Sequence, residues 1–183
     1  MAEAGSVLFV DDDSDWVELL RTAFNRAGMP NPVQGVKDGP EAIRYLRGES
    51  PYANRAAHPL PELVLLDLRL PGMPGFEVLR WIRRQPRLAG LPVVVITGMQ
   101  APGDVRRAQE LGATGFLIKP FSLAKLVEMA RQIRDNWLRP AHGLEERLDL
   151  SASERGLQPA KLQAVTGGPK SAITPCKSRA SAA

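Results

Sequence analysis

The chain contains 183 residues, enough for one domain with a hydrophobic core and some surplus but too few for two ordinary domains. Hydrophobic residues make up 44% of it and charged residues 24%, and no apolar run approaches the roughly 18 residues that a membrane-spanning helix needs. The net charge of +4 is spread over several predicted helices without interleaved aromatic residues, which argues against a nucleic-acid-binding surface.

Three aspartates directly follow the first apolar run, so the N-terminal residues lack the long apolar core of a secretory signal. The single cysteine, Cys176, excludes an intramolecular disulfide. The lack of a secretory signal predicts a cytoplasmic protein.

Short apolar runs alternate with amphipathic stretches between Ser6 and Leu138, a pattern typical of βα units that build a parallel sheet. A short strand at residues 31–36 contains Pro32 and Gly35 and is predicted to lie at an edge of the sheet. The other predicted strands lack polar alternation, as expected when helices cover both faces of a sheet. They are residues 7–10, 63–66, 93–96 and 116–118.

Helical periodicity separates these strands. The first helix is expected to begin with Ser14 or Asp15 as its N-cap and to end at Gly28. Five strand–helix units predict a doubly wound α/β domain over residues 1–140. The other helices are predicted at residues 40–46, 76–84, 105–111 and 123–137.

Two segments fall outside this alternation. Residues 48–61 are predicted to form an extended surface loop, in which Tyr52 and His58 are expected to be ordinary surface residues. Apolar residues become sparse from residue 141 onward, so residues 141–183 are expected to form a mostly disordered tail without an output domain.

Polar side chains follow the central strands, at the edge where open α/β sheets bind their ligands. Carboxylates that converge there repel one another unless a cation lies among them, and an all-oxygen donor set favours Mg²⁺ or Mn²⁺ over zinc. Lys119 and Thr97 offer a positive charge and a hydroxyl to phosphoryl oxygens, which leaves Asp67 as the nucleophile. The residues concerned are Asp11, Asp12, Asp67, Thr97 and Lys119.

Ordinary structural roles compete with this interpretation. An aspartate after a strand is often the N-cap of the next helix, and this is the interpretation favoured for Asp13. Thr97 alone would be a cap and Lys119 alone a surface residue. Their joint placement at equivalent strand ends favours a functional site.

Four motifs carry a resemblance to a known family: VLFVDDD at residues 7–13, LLDLRLPGMPG at 65–75, ITG at 96–98 and LIKPF at 117–121. Together they resemble the receiver domains of bacterial two-component response regulators, in particular the stand-alone (CheY-like) ones. The resemblance implies a flavodoxin-like (βα)5 fold with strand order 2-1-3-4-5. It also implies that a sensor histidine kinase or a histidine phosphotransfer protein phosphorylates Asp67.

The resemblance further assigns roles around the phospho-acceptor. Asp11, Asp12, Asp67 and the backbone carbonyl of Arg69 would hold Mg²⁺. Lys119 would bind the phosphoryl oxygens, and its peptide bond to Pro120 is usually cis in this family.

A switch is also implied, in which Thr97 moves toward the phosphoryl group and Phe116 turns inward behind it. The surface of the fourth helix, fifth strand and fifth helix would change as a result. Since no DNA-binding or catalytic output domain is predicted, output requires protein contact. A target protein, a phosphotransfer protein and a second copy bound through this surface all remain open as partners.

Two positions that flank the site are similar to those that tune autodephosphorylation in receivers. They hold Arg69 and Met99, and a long cation and a bulky thioether would hinder an attacking water, which predicts a long-lived phosphoryl group. The inserted loop at 48–61 is similar to that of regulators paired with bacteriophytochrome-type kinases.

Two other classes fit part of the pattern. A haloacid-dehalogenase-like phosphatase also has a nucleophilic aspartate after a buried strand, but it carries a second carboxylate two residues later, where this chain has Arg69. A receiver-shaped interaction module that takes no phosphate would be expected to lack one of Asp12, Asp67, Thr97 or Lys119. All four are present, so the sequence favours a non-enzymatic phospho-acceptor.

Overall fold

The computed structural model describes residues 5–98, 101 and 103–138. Within these residues five parallel strands form a sheet in the order β2-β1-β3-β4-β5, which confirms the predicted flavodoxin-like α/β fold. The strands are β1 (Val7–Val10), β2 (Val33–Val36), β3 (Leu63–Leu66), β4 (Val93–Thr97) and β5 (Gly115–Ile118). The helices are α1 (Ser14–Arg26), α2 (Gly39–Arg47), α3 (Gly75–Arg84), α4 (Asp104–Glu110) and α5 (Leu123–Trp137).

The sheet separates two layers of packed side chains, because alternate residues of a strand point to opposite faces. In β1, Val7 and Phe9 pack with α1 and α5, whereas Leu8 and Val10 pack with α2 and α3. All four residues are fully buried, which explains why the strand shows no polar alternation. Within β2 only Val36 is buried, and this strand lies at the edge as predicted.

The start of α1 differs from the expectation. The side chain of Asp13 accepts hydrogen bonds from the backbone N–H groups of Asp15 (3.0 Å) and Trp16 (3.1 Å). Asp13 is therefore the N-cap, as its favoured interpretation has it, and the assignment to Ser14 or Asp15 is wrong. The reason is the extended backbone of Asp13 (φ −88°, ψ 97°), which aims its carboxylate at the first turn of the helix.

Residues 48–61 form the predicted long surface connection, which folds into a series of turns anchored on α2. The guanidinium of Arg55 donates to the carbonyl oxygens of Tyr45 and Leu46, in the last turn of α2, and to that of His58, at 2.8 to 3.1 Å. The last carbonyls of a helix lack partners within the helix, so a cation with several donors binds them well. Loop composition alone does not reveal this anchor.

Tyr52 and His58 are half-buried and form an aromatic cluster with the fully buried Tyr45, so the expectation of ordinary surface residues is wrong. The ring centroids of Tyr45 and Tyr52 lie 5.0 Å apart, and those of Tyr52 and His58 lie 5.1 Å apart. The hydroxyl of Tyr52 donates to Glu41 Oε1 at 2.6 Å. Burial and this carboxylate raise the pKa of Tyr52 to about 12, so the phenol keeps its proton at neutral pH.

None of the five helices in the described part of the chain is long and apolar enough to cross a membrane. The described residues end at Leu138, directly after α5. Two predictions therefore lie outside them, namely the placement of Met99 and the tail at residues 141–183.

Replacing Arg55 by alanine is expected to lower the free energy of unfolding by about 1 to 3 kcal/mol, because three carbonyl groups lose a charged donor. Urea denaturation measures the change. The matched control is Arg87→Ala, since Arg87 is exposed and makes no hydrogen bond within the described residues. Equal effects of the two substitutions would contradict a stabilising role for the Arg55 anchor.

Candidate functional site

The hydrogen bonding of the sheet continues one residue beyond the strands and positions the candidate site. The backbone N–H of Asp11 donates to the carbonyl of Val36, and that of Asp67 donates to Val10. On the other side, the N–H of Lys119 donates to the carbonyl of Thr97 at 2.9 Å. The predicted residues therefore reach one edge of the sheet on a rigid support, because their backbone is part of the ladder.

Asp11 and Asp67 share one ammonium group. Lys119 Nζ lies 2.5 Å from Asp11 Oδ2 and 2.7 Å from Asp67 Oδ2. Both carboxylates are almost fully buried, at 2% and 5% exposure, and 15% of the Lys119 side chain is exposed. The structure thus brings together three of the predicted site residues, from the ends of three different strands.

Each carboxylate is also held at its second oxygen. The backbone N–H of Asp13 donates to Asp11 Oδ1 at 3.1 Å, and that of Arg69 donates to Asp67 Oδ1 at 3.0 Å. The side chain of Arg69 itself is exposed. Both acids are therefore fixed in orientation, with one oxygen toward the backbone and the other toward Lys119.

The charges in this cluster do not balance. Burial raises the pKa of Asp11 even though Lys119 and the N–H of Asp13 oppose the shift. Burial also lowers the pKa of Lys119, but the hydrogen bonds and charges of Asp11 and Asp67 outweigh it, so that pKa lies above its usual value. Two buried carboxylates and one ammonium leave an excess of negative charge, which favours a further cation.

Asp12 is exposed and stands apart from this cluster. With Asp11 it lines a cavity of about 280 Å³ between α1, β2 and α2, which Lys37 and Glu41 also line. Among the described residues, no three Asp, Glu, His or Cys side chains lie close enough together to hold a metal ion. The donor set still fits Mg²⁺, because it consists of oxygens with excess negative charge.

Thr97 and Phe116, the predicted switch pair, are both buried. Thr97 ends β4 and is fully inaccessible. Phe116 is 6% exposed and belongs to a small cluster with Leu68, Val95 and Ala108. The aromatic side chain therefore occupies an inward position in this structure.

Sequence reasoning missed Gly75, the first residue of α3. A Cβ atom at this position would overlap the backbone carbonyl oxygen of Asp67 and lie 2.8 Å from Leu68 Cα. The N–H of Gly75 donates to the carbonyl of Leu68, which closes the loop after Asp67. The Pro-Gly pair at 74–75 was the available signal, since such pairs mark sites where the backbone must approach closely.

The peptide bond between Lys119 and Pro120 also differs from the family's usual form. In the described part of the chain, the cis bond is Ser50–Pro51, and Lys119–Pro120 is trans. The ammonium of Lys119 reaches both carboxylates with this trans bond.

Replacing Asp11 by asparagine is expected to raise the free energy of unfolding of the metal-free protein by on the order of 1 kcal/mol at neutral pH. The substitution removes a buried charge that Lys119 offsets only in part, and Lys119 keeps Asp67 as a partner. A carboxyl whose pKa is raised by folding begins to destabilise the folded state above its ordinary pKa, and the effect is complete above the raised pKa. The gain should therefore shrink as the pH falls toward the ordinary value of 3.8.

Urea denaturation with a chelator present, at neutral pH and near the ordinary pKa, measures this effect. The control is Asp12→Asn, which alters an exposed carboxylate and should change stability by less than about 0.5 kcal/mol. A loss of stability in Asp11→Asn would show that the ion pair with Lys119 outweighs the cost of burial.

Comparison with known proteins identifies the family. Residues 7–131 match the model of the response regulator receiver domain. The probable methanogenesis regulatory protein FilR2 of Methanothrix harundinacea is 38% identical over 132 residues, which cover 72% of this chain and 83% of FilR2. The response regulator Rcp1 of Synechocystis sp. is 33% identical over 132 residues, covering 72% of this chain and 88% of Rcp1.

Solved structures give the same result. The phosphorylated cyanobacterial phytochrome response regulator RcpA superposes with a TM-score of 0.67 at 33% identity, over 73% of this chain and 94% of RcpA. The Mn²⁺-bound form of Rcp1 superposes with a TM-score of 0.65 at 31% identity, over 81% of this chain and 99% of Rcp1. The chain therefore belongs to the receiver domain family of two-component response regulators.

Proposed function

We propose that this protein is a single-domain response regulator that accepts a phosphoryl group on Asp67 from a histidine kinase or a histidine phosphotransfer protein. The observation that carries the proposal is the buried Asp67 carboxylate at the end of the middle strand, fixed between the Arg69 N–H and the Lys119 ammonium. Such a carboxylate is preorganised for attack and has a cation beside the position where new negative charge arrives.

The transfer is a substitution at phosphorus. A carboxylate oxygen of Asp67 attacks the phosphorus of a phosphohistidine, the P–N bond breaks, and the imidazole leaves with the bonding electron pair and takes up a proton. The product is an acyl phosphate on Asp67. Lys119 then donates hydrogen bonds to the phosphoryl oxygens, and the Thr97 hydroxyl supplies another donor.

Asp11, Asp12, Asp67 and the backbone carbonyl of Arg69 would hold Mg²⁺, or Mn²⁺ in its place. When bound, the ion supplies positive charge that neutralises the phosphoryl oxygens during transfer. The excess negative charge of the buried carboxylates supports this assignment. The existence of an Mn²⁺-bound form of the similar regulator Rcp1 supports it too.

The output is proposed to be a change in the surface of α4, β5 and α5. Phe116 of β5 and Ala108 of α4 lie in one cluster with Leu68, the residue next to Asp67, so a rearrangement around a phosphorylated Asp67 would alter the packing of α4 and β5. The similarity to a phytochrome response regulator favours a bacteriophytochrome-type kinase as the partner in the cytoplasm. A second copy of the chain is a further candidate partner for this surface.

This chain lacks the second carboxylate that a haloacid-dehalogenase-like phosphatase requires. A phosphatase of that class needs a carboxylate at position 69, where an exposed arginine stands and only its backbone N–H contacts Asp67. The phosphate-independent interaction module differs from the proposal in one measurable property, namely the reactivity of Asp67.

Incubation with acetyl phosphate and Mg²⁺ is expected to add one phosphoryl group to the wild type and none to Asp67→Asn, because the amide cannot form the acyl phosphate. Intact-mass spectrometry measures the addition, and size-exclusion chromatography shows whether the product dimerises. The matched control is Asp135→Asn, since Asp135 is an exposed aspartate on α5. An unmodified wild type would overturn the proposal and favour the phosphate-independent module.

The phosphoryl group on Asp67 is expected to decay slowly, and Arg69→Ala is expected to accelerate the decay several-fold by opening the path of an attacking water. Removal of the donor followed by timed intact-mass measurements gives both rates. The control is Arg84→Ala, which removes an exposed cation from the end of α3. Loss of the wild-type phosphoryl group within seconds would refute the long lifetime.

A further inference from the structure

Trp16 lies in the first turn of α1, close to the Lys119 ammonium. Its backbone N–H donates to the Asp13 carboxylate at 3.1 Å, and the backbone N–H of Asp13 donates in turn to Asp11 Oδ1. Lys119 Nζ lies 5.5 Å from the centroid of the Trp16 ring, within the range of about 6 Å for a cation–π contact. A short series of hydrogen bonds thus fixes Trp16 relative to Asp11.

Apolar packing alone does not explain why position 16 holds a tryptophan. The side chain packs against the core between α1 and α5, but its Nε1 is buried and has no hydrogen-bond partner among the described residues. Buried indole N–H groups normally find an acceptor, because an unpaired donor is costly. Leucine or phenylalanine would pack here without that cost, so packing does not account for the indole.

Phosphorylation would change two of the contacts of the Lys119 ammonium, those with Asp67 and Asp11, but not its contact with Trp16. When Asp67 becomes an acyl phosphate, its carboxylate loses its own charge and the negative charge lies instead on the phosphoryl oxygens. Asp11 is a proposed ligand of the divalent cation. Both carboxylates that bind Nζ in this structure therefore change their interactions. Of the contacts that the described residues make with Nζ, the Trp16 ring is the one that neither reacts nor competes for the cation.

The low exposure of the Lys119 side chain strengthens such a contact. Only 15% of this side chain is accessible, and a cation–π contact gains in strength as the cation loses water. The electron-rich face of an indole attracts a cation more strongly than that of phenylalanine. Of the aromatic residues, tryptophan is thus the one best suited to hold the ammonium from position 16.

We propose that Trp16 is a positioning residue, whose ring face holds the Lys119 ammonium beside Asp67 while the two carboxylates change partners. The inference rests on the proposed phosphorylation of Asp67. Trp16 itself would not contact the phosphoryl group, because it would act through Lys119.

The test uses a series of proteins in which Trp16 alone is replaced by tryptophan analogues with an increasing number of fluorine atoms. The rate of phosphorylation by acetyl phosphate with Mg²⁺ is measured for each protein. Fluorine withdraws electron density from the ring face and hardly alters its size, so a cation–π contact weakens in steps. We expect the logarithm of the rate to fall steadily with each added fluorine. Trp16→Leu should slow phosphorylation about threefold or more, with Trp16→Phe in between.

Trp81→Leu is the matched control, because Trp81 also lies under a cation, Arg47 at 5.3 Å, but packs among α2 and α3 away from Lys119. This variant should keep the wild-type rate. Equal rates across the fluorinated series would overturn the inference even if Trp16→Leu is slow, since packing alone would then explain the leucine variant. A wild type that takes up no phosphoryl group would instead refute the proposed function, so the two failures are distinguishable.

Discussion

The ion pairs of Lys119 with Asp11 and Asp67 are the interaction on which the rest of the site depends. One ammonium lies within 2.7 Å of both carboxylates, so two groups that would otherwise repel each other are buried side by side. The compensation is incomplete, because the pKa of Asp11 remains raised. A site with excess negative charge at a rigid strand edge favours the binding of a cation, as the proposed function requires.

The parallel sheet supplies the rigidity that this charge cluster requires. Asp11, Asp67 and Lys119 each continue the backbone ladder beyond a strand, and the strands that precede the two aspartates, β1 and β3, are fully buried. Gly75 tightens the connection after Asp67, since its missing side chain leaves room for the carbonyl of Asp67. Local unfolding that displaced one of these acids would have to break hydrogen bonds of the central sheet.

Strands and helices were predictable because their patterns repeat along the chain. Contacts made by single side chains between separate elements were not predictable. Apolar runs and helical spacing predicted the four apolar strands and every helix of the described residues, because both patterns reflect burial, whereas β2 was predicted as a short, more polar edge strand. The anchoring of residues 48–61 escaped prediction, since it depends on Arg55 reaching the end of α2. The proximity of Asp11, Asp67 and Lys119 was predictable because equivalent strand ends meet at one edge, whereas the ring of Trp16 approaches Lys119 from a helix.

The small cluster around Phe116 has a consequence for local stability. Within the described residues, α4 contributes a single buried side chain, Ala108, whereas each of the other helices contributes at least three. The helix therefore has the least apolar burial to lose when it opens, so its amides should exchange with solvent more readily than those of its neighbours. A segment held so lightly can be repositioned by a few new hydrogen bonds without disturbing the two larger cores.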